Sequence, residues 1–273
     1  MPSTHIATEP WGAKVGHHRF VFIGGLHRSG TSVIFRCLRE HPSISGFENT
    51  GVPEDEGQHL QSVYPPARAY GGPGRFGFKP EAHLTDTSGL ITSGNRLRLL
   101  AEWNKYWDLK KPVLLEKSPP NLICTRFLQE LFPNSYFLIV TRHPIPVSYA
   151  TQKWSGTSLP ELINHWLVCH EKFDQDRQQI RRLFVLRYED FVEKPQAVLD
   201  RIYSFLGLPP YLNRIEVRSS VNEEYLKRWR GIYQNDTLSE GCVEAARIRL
   251  QYERRVAAFG YSVDSDSESS VDH

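Results

Sequence analysis

The chain has 273 residues, 40% of them hydrophobic and 12% aromatic, enough to bury one substantial core and tight for two. Its 33 Lys and Arg against 31 Asp and Glu leave a formal charge of +2, so no overall basic field recruits nucleic acid or an anionic membrane surface. No stretch approaches the roughly 20 apolar residues of a membrane helix, and residues 1–20 carry neither an apolar h-region nor a cleavage site. The expectation is one soluble, cytoplasmic domain without a membrane span.

Residues 1–18 read as an N-terminal extension. The first strong element is Arg19-Phe20-Val21-Phe22-Ile23, a β run that stops at Gly24-Gly25 and precedes a helical pattern over 30–40. A second apolar run, 112–115, ends in Glu116-Lys117-Ser118-Pro119-Pro120 and leads into a helix carrying Leu122, Phe127, Leu128 and Leu131. Tyr136-Phe137-Leu138-Ile139-Val140 forms a third strand, followed by Thr141-Arg142-His143-Pro144 and a helix to about 153. A long helix over 159–182 precedes a fourth strand, 183–186, and a helix over 195–206 follows it. Strands alternating with helices predict an α/β fold: a mostly parallel sheet of the P-loop type, flanked by helices on both faces in a single domain of residues 19–262. Ligands in such folds bind beyond the carboxyl ends of the strands.

Two segments break the alternation. Residues 50–104 are rich in Gly, Pro and aromatics without a clean period and read as an inserted cap over the sheet edge. Residues 263–273, acidic and rich in Ser, read as a disordered tail. Cys37, Cys124, Cys169 and Cys242 show no metal-ligand spacing and read as free thiols, mostly buried.

The loop Gly25-Leu26-His27-Arg28-Ser29-Gly30-Thr31-Ser32 fits the spacing of a phosphate-binding loop with one departure, Thr31 where nucleotide triphosphatases have Lys. A terminal phosphate and its metal lose their usual partner there. The amide cradle at the helix N-terminus still suits a 5′-phosphate, and Arg28 supplies a planar cationic fork.

At these residues the sequence resembles the sulfotransferase family, whose 5′-phosphosulfate loop matches Arg28-Ser29-Gly30-Thr31-Ser32. The Arg, with Leu38-Arg39-Glu40-His41-Pro42 beyond it, looks like the tyrosylprotein and bacterial members. Three further matches follow in the family's order: Glu116-Lys117-Ser118-Pro119, Thr141-Arg142-His143-Pro144 with Ser148, and Leu186-Arg187-Tyr188-Glu189-Asp190-Phe191 through Phe205-Leu206-Gly207-Leu208. The resemblance spans about 20–208 and reaches into 225–229.

The resemblance implies a co-substrate, 3′-phosphoadenosine-5′-phosphosulfate, yielding 3′,5′-adenosine bisphosphate by in-line displacement without a metal. Arg28, Ser29, Gly30, Thr31 and Ser32 would hold the 5′ side, Arg142 the 3′-phosphate, and Lys117 the charge growing on the departing phosphate. Ser148 is a poorer match, since the family places that Ser eight residues after the Arg and here Ala150 stands there. Tyr188 is a candidate for stacking on the adenine, and Lys227 and Arg228 for closing over the phosphates. An acceptor hydroxyl also needs a base. Glu56-Gly57-Gln58-His59-Leu60 resembles the pattern of the glycosaminoglycan enzymes and Phe47-Glu48-Asn49-Thr50 that of the tyrosylprotein enzymes; Glu56 is favoured, with Glu48 and His59 as alternatives.

The alternative readings are a kinase-like or switch protein that binds adenine nucleotide, against which the missing loop Lys argues, and a non-catalytic module on a decayed sulfotransferase. The acceptor stays open: the aromatics of 50–104 with Trp103, Tyr106, Trp107 and Trp154 suit a phenol, a sugar face or a protein tyrosine alike.

Overall fold

A computed structural model describes residues 17–217, 221–235 and 239–264. The apolar runs form strands β1 (Arg19–Gly25), β3 (Val113–Lys117), β4 (Ser135–Thr141) and β5 (Leu183–Arg187), joined by a three-residue edge strand, β2 (Ile44–Gly46). They pair in the order β2-β3-β1-β4-β5, every neighbour parallel. The central strand β1 has side chains buried on both faces, which is why its sequence is continuously apolar instead of alternating.

The helices are α1 (Thr31–Arg39), α2 (Ser93–Trp103), α3 (Thr125–Leu131), α4 (Pro144–Ser155), α5 (Leu159–Arg177), α6 (Tyr188–Glu193), α7 (Pro195–Phe205), α8 (Val221–Asn235) and α9 (Glu240–Ala257). One sheet face presents Phe20, Phe22 and Phe137, over which Phe132 and the α2 residue Trp103 pack. The opposite face presents Tyr136 and Phe184 to Phe205 of α7. The expected α/β sheet with helices on both faces is what the chain forms.

Several elements differ from expectation for local reasons. The helix after β3 splits into a 3₁₀ turn, Pro119–Ile123, and α3, because Cys124 between them leaves helical geometry. Helix α5 starts at a Ser158/Glu161 capping box but ends at Arg177 instead of 182. There Gln179 and Ile180 donate to Asp176 and Arg177, tightening the last turn and carrying the chain toward β5. Within 50–104, Thr92 caps α2, and Trp103 donates its Nε1 hydrogen to Gly57 O at 3.0 Å, so the insertion is pinned to the sheet face.

The cysteines are free, with Cys37, Cys124 and Cys169 buried. At the C-terminal side the packed chain runs past the expected boundary. Val263 is 1% exposed and accepts from Trp229 Nε1 at 3.1 Å, while Glu253 Oε2 takes the Val263 and Asp264 amides. Residues 265–273, like residues 1–16 of the N-terminal extension, lie outside the described residues. Val263→Ala should therefore cost about 2 kcal/mol and lower Tm by roughly 4–8 °C, checked by calorimetry against wild type.

Candidate active site

The carboxyl ends of β1, β3 and β4 open into a cleft of about 690 Å³ lined by His27, Arg28, Gly30 to Val33, Arg36, Glu54, Glu56, Arg142, Lys153, Trp154 and Tyr225, with prolines 53 and 119. Its floor is the expected loop. Ser29 turns back on Leu26 O through both its amide (3.0 Å) and its hydroxyl (2.6 Å), so the chain doubles over before α1 begins. Arg28 and Gly30 both take positive φ, 69° and 99°. At Gly30 a Cβ would lie 2.2 Å from Tyr188 Cδ2, so only Gly brings the cradle this close to the first turn of α6. Non-glycine residues avoid this region at a cost of order 1–3 kcal/mol, which makes Arg28 a position held by its surroundings. Its guanidinium lies 5.0 Å from the centre of the Trp154 ring.

Arg142, leaving β4, is 5% exposed. Its Nη1 donates to Arg28 O at 2.6 Å and its Nε to Asn222 Oδ1 at 2.7 Å, tying β4 to the cradle and to α8. Its Nη2 is buried without a hydrogen-bond partner among the described residues. Burial pulls this guanidinium below its usual basicity, opposed by Tyr188 and Glu189. Glu189 completes the frame by accepting from Asn222 Nδ2, the His143 amide and Tyr261 OH. The Arg142 guanidinium lies over the Tyr188 ring at 4.4 Å. Tyr188 is 7% exposed, so its ring props Arg142 and the cradle and does not line the cleft.

At the other end Glu56 and Lys117 form a buried ion pair, Nζ donating to Oε1 at 3.0 Å. Glu56, on the insertion, reaches the cleft; Lys117, at the end of β3, is fully covered behind it. The second Glu56 oxygen accepts from Gln58 Nε2 at 2.5 Å and lies 3.8 Å from His59 Nε2. Burial lowers the His59 pKa, partly offset by Glu56. Burial, with Lys117 and Arg28 adding to it, pulls His27 down to about 3, so the imidazole facing the cleft is neutral.

Other expected residues fall elsewhere. Glu48 is exposed and paired with Arg39, outside the cleft lining. Ser148 is buried among Leu26, Gly74, Leu162 and His165, behind the loop, while Ala150 lines the cleft. Lys227 is exposed, and Arg228 sits over the Tyr149 ring at 4.4 Å; neither lines the cleft. Trp103 and Trp107 are core residues, the latter donating to Leu115 O, and neither Tyr106 nor any aromatic of 50–104 lines the cleft, so of the aromatics considered for the acceptor Trp154, half exposed, is the one that reaches it. Sequence reasoning missed Asn222, Arg36 and Lys153, which no local pattern distinguishes from an ordinary helix face, and gave Tyr225 no role beyond its place in the stretch 225–229.

The sequence profile described as the sulfotransferase family matches residues 21–212, more than half of the chain. The chain belongs to the sulfotransferase family. This family member is 24% identical over 252 residues to protein-tyrosine sulfotransferase 2 of Gallus gallus, covering 81% of itself and 65% of that protein. It is 28% identical over 119 residues to an omega-hydroxy-beta-dihydromenaquinone-9 sulfotransferase of Mycobacterium bovis, covering 38% of itself and 30% of the relative. The chain thus spans under two thirds of the length of both. Among solved structures it is similar in fold to the sulfotransferase domain from the curacin biosynthetic pathway (TM-score 0.51, 17% identity, 90% of this chain and 99% of that one). A sulfotransferase from Mycobacterium avium is similar too (TM-score 0.52, 14% identity, 92% and 80%).

Proposed function

We propose that the chain transfers a sulfuryl group from 3′-phosphoadenosine-5′-phosphosulfate to an acceptor hydroxyl or amine. The observation that carries this reading is the buried Glu56–Lys117 pair at one end of a cleft whose floor is a cationic amide cradle. The cleft fits such a donor. Arg28, Arg36, Arg142 and Lys153 line it, and Arg142 holds a buried guanidinium nitrogen with no partner among the described residues, which a phosphate oxygen would satisfy. When bound, the donor supplies the sulfuryl group on a phosphate leaving group, for in-line displacement by the acceptor.

The chain's own residues then divide the work. Arg28 and the amides of 29–32 orient the phosphate oxygens, and Arg142 takes the 3′-phosphate. Lys117, turning from Glu56, opposes negative charge as it grows on the leaving oxygen. Glu56 takes the acceptor's proton. Trp154 forms an exposed wall against which a ring or sugar face can lie.

The test is incubation with radiolabelled donor and a panel of phenols, glycans and tyrosine peptides, without added metal. Labelled product in one class names the acceptor; donor-product binding without label in any class supports a binding module instead. Arg28→Ala should weaken donor-product affinity and slow transfer together, because Arg28 acts before and during the step. Lys117→Ala should reduce kcat more than affinity.

A further inference from the structure

Directly beside Lys117 the fold buries a second carboxylate that the proposed reaction does not use. Glu116 is fully covered, and three donors converge on it: the Gly57 amide (3.0 Å) and the Ser118 hydroxyl (2.5 Å) on Oε1, and Asn121 Nδ2 (2.6 Å) on Oε2. Ser118 Oγ in turn accepts the Gln58 amide at 2.9 Å. The peptides on the C-terminal side of Glu56 are thereby fastened to β3, and Gln58 reaches back to the Glu56 carboxylate. A Cβ on residue 57 would sit 2.4 Å from Glu116 Oε1, so Gly57 is what lets backbone and carboxylate meet. Burying a carboxylate costs free energy. This one reaches no ligand surface, so its effect is on the segment it grips.

Building on Glu56 as the base, we infer that Glu116 is a positioning residue that holds Glu56 in register with Lys117 only while its own carboxylate is ionised. The carboxylate accepts three hydrogen bonds and donates none. A proton on Oε2 opposes the Asn121 amide, which cannot turn because it also donates to Ile23 O at 3.0 Å; a proton on Oε1 crowds the Gly57 N–H and makes the Ser118 hydroxyl give up its donated bond and turn to accept. Burial raises Glu116 to about 7, against the bonds from Ser118 and Asn121 and the charge of Lys117, with Glu56 pushing further upward. Tyr64 and Cys124 also face it, and burial raises both, so they stay protonated across the neutral range. Falling pH through about 7 therefore loosens the bracket and lowers kcat.

The test is the pH profile of kcat between 6 and 9, with labelled donor and the panel acceptor that takes up label, and bisphosphate affinity measured by calorimetry. Glu116→Gln should bind bisphosphate normally, lose roughly 10²-fold in kcat, as expected of a misplaced group, and lose the acidic limb near 7. Ser118→Ala, which removes one bond favouring the ionised form, should shift the limb to higher pH. Thermal melts establish that each variant folds, and if Glu116→Gln does not, Ser118→Ala alone carries the test. A wild-type kcat in Glu116→Gln, or a limb unmoved in either variant, overturns the inference. An active Glu56→Gln overturns the base assignment instead, so the two failures are told apart.

Discussion

Glu56→Gln should retain bisphosphate affinity and lose roughly 10²-fold or more in kcat, the scale of general-base catalysis. The amide matches the carboxylate in size and can still meet Lys117 Nζ through its carbonyl oxygen, but it takes no proton at neutral pH. Its second position would turn an NH₂ toward Gln58 Nε2, which now donates to Oε2; Gln58 can answer only by rotating, so a small loss of stability accompanies the loss of rate. Glu48→Gln and His59→Asn serve as controls. Glu48 is exposed and held by Arg39, and its substitution should leave kcat within about twofold. His59→Asn keeps a polar group near Glu56 and should act mildly. An inactive His59 variant with intact bisphosphate binding would move the base to that imidazole.

Arg142→Ala should abolish the preference for 3′,5′-adenosine bisphosphate over AMP. A hydrogen bond to a charged group contributes roughly 1.5–3 kcal/mol, and the 3′-phosphate is the only difference between the two nucleotides, so the preference lost is about 10- to 150-fold. The arginine also ties the cradle to α8 through Arg28 O and Asn222, so AMP itself should bind somewhat more weakly. Calorimetry on both nucleotides separates these effects: a fall in bisphosphate affinity alone marks the 3′-phosphate, whereas an equal fall for both marks the tie. An unchanged ratio removes the assignment.

The sheet was legible because each long strand carries a continuous apolar run that gives way to residues of unusual composition, Gly24-Gly25 at the end of β1 and Glu116-Lys117 at the end of β3. Strand β2 escaped because three residues establish no period, and α2 because its Gly94 and alternating arginines blur the apolar face that Leu99, Leu100 and Trp103 bury. Helix α6 follows β5 without a connecting residue, so Tyr188 reads as a strand end although it opens a helix. In the site, loop spacing pointed to the cradle residues and the family resemblance to Arg142, but the Glu56–Lys117 contact spans 61 positions and no local pattern encodes it. Ser148 shows the opposite limit. Two residues along a helix turn the side chain by about 200°, so a serine six rather than eight positions past Arg142 faces the interior and Ala150 takes the cleft.

The all-parallel sheet also bears on how the chain acquires its site. No two of the described strands can zip as a hairpin: Arg19 must find Val113 and Phe20 must find Ser135, each closing a long loop before any contact offsets the lost entropy. Folding of such a topology is slow compared with a meander of equal length. The cradle sequence leaves the ribosome before its counterparts, since Lys117 and Arg142 are synthesised some 90 to 115 residues after it. A nascent chain therefore carries the loop of residues 25–32 without Lys117 and Arg142, and the cleft takes shape in the same event that docks β3 and β4 on β1.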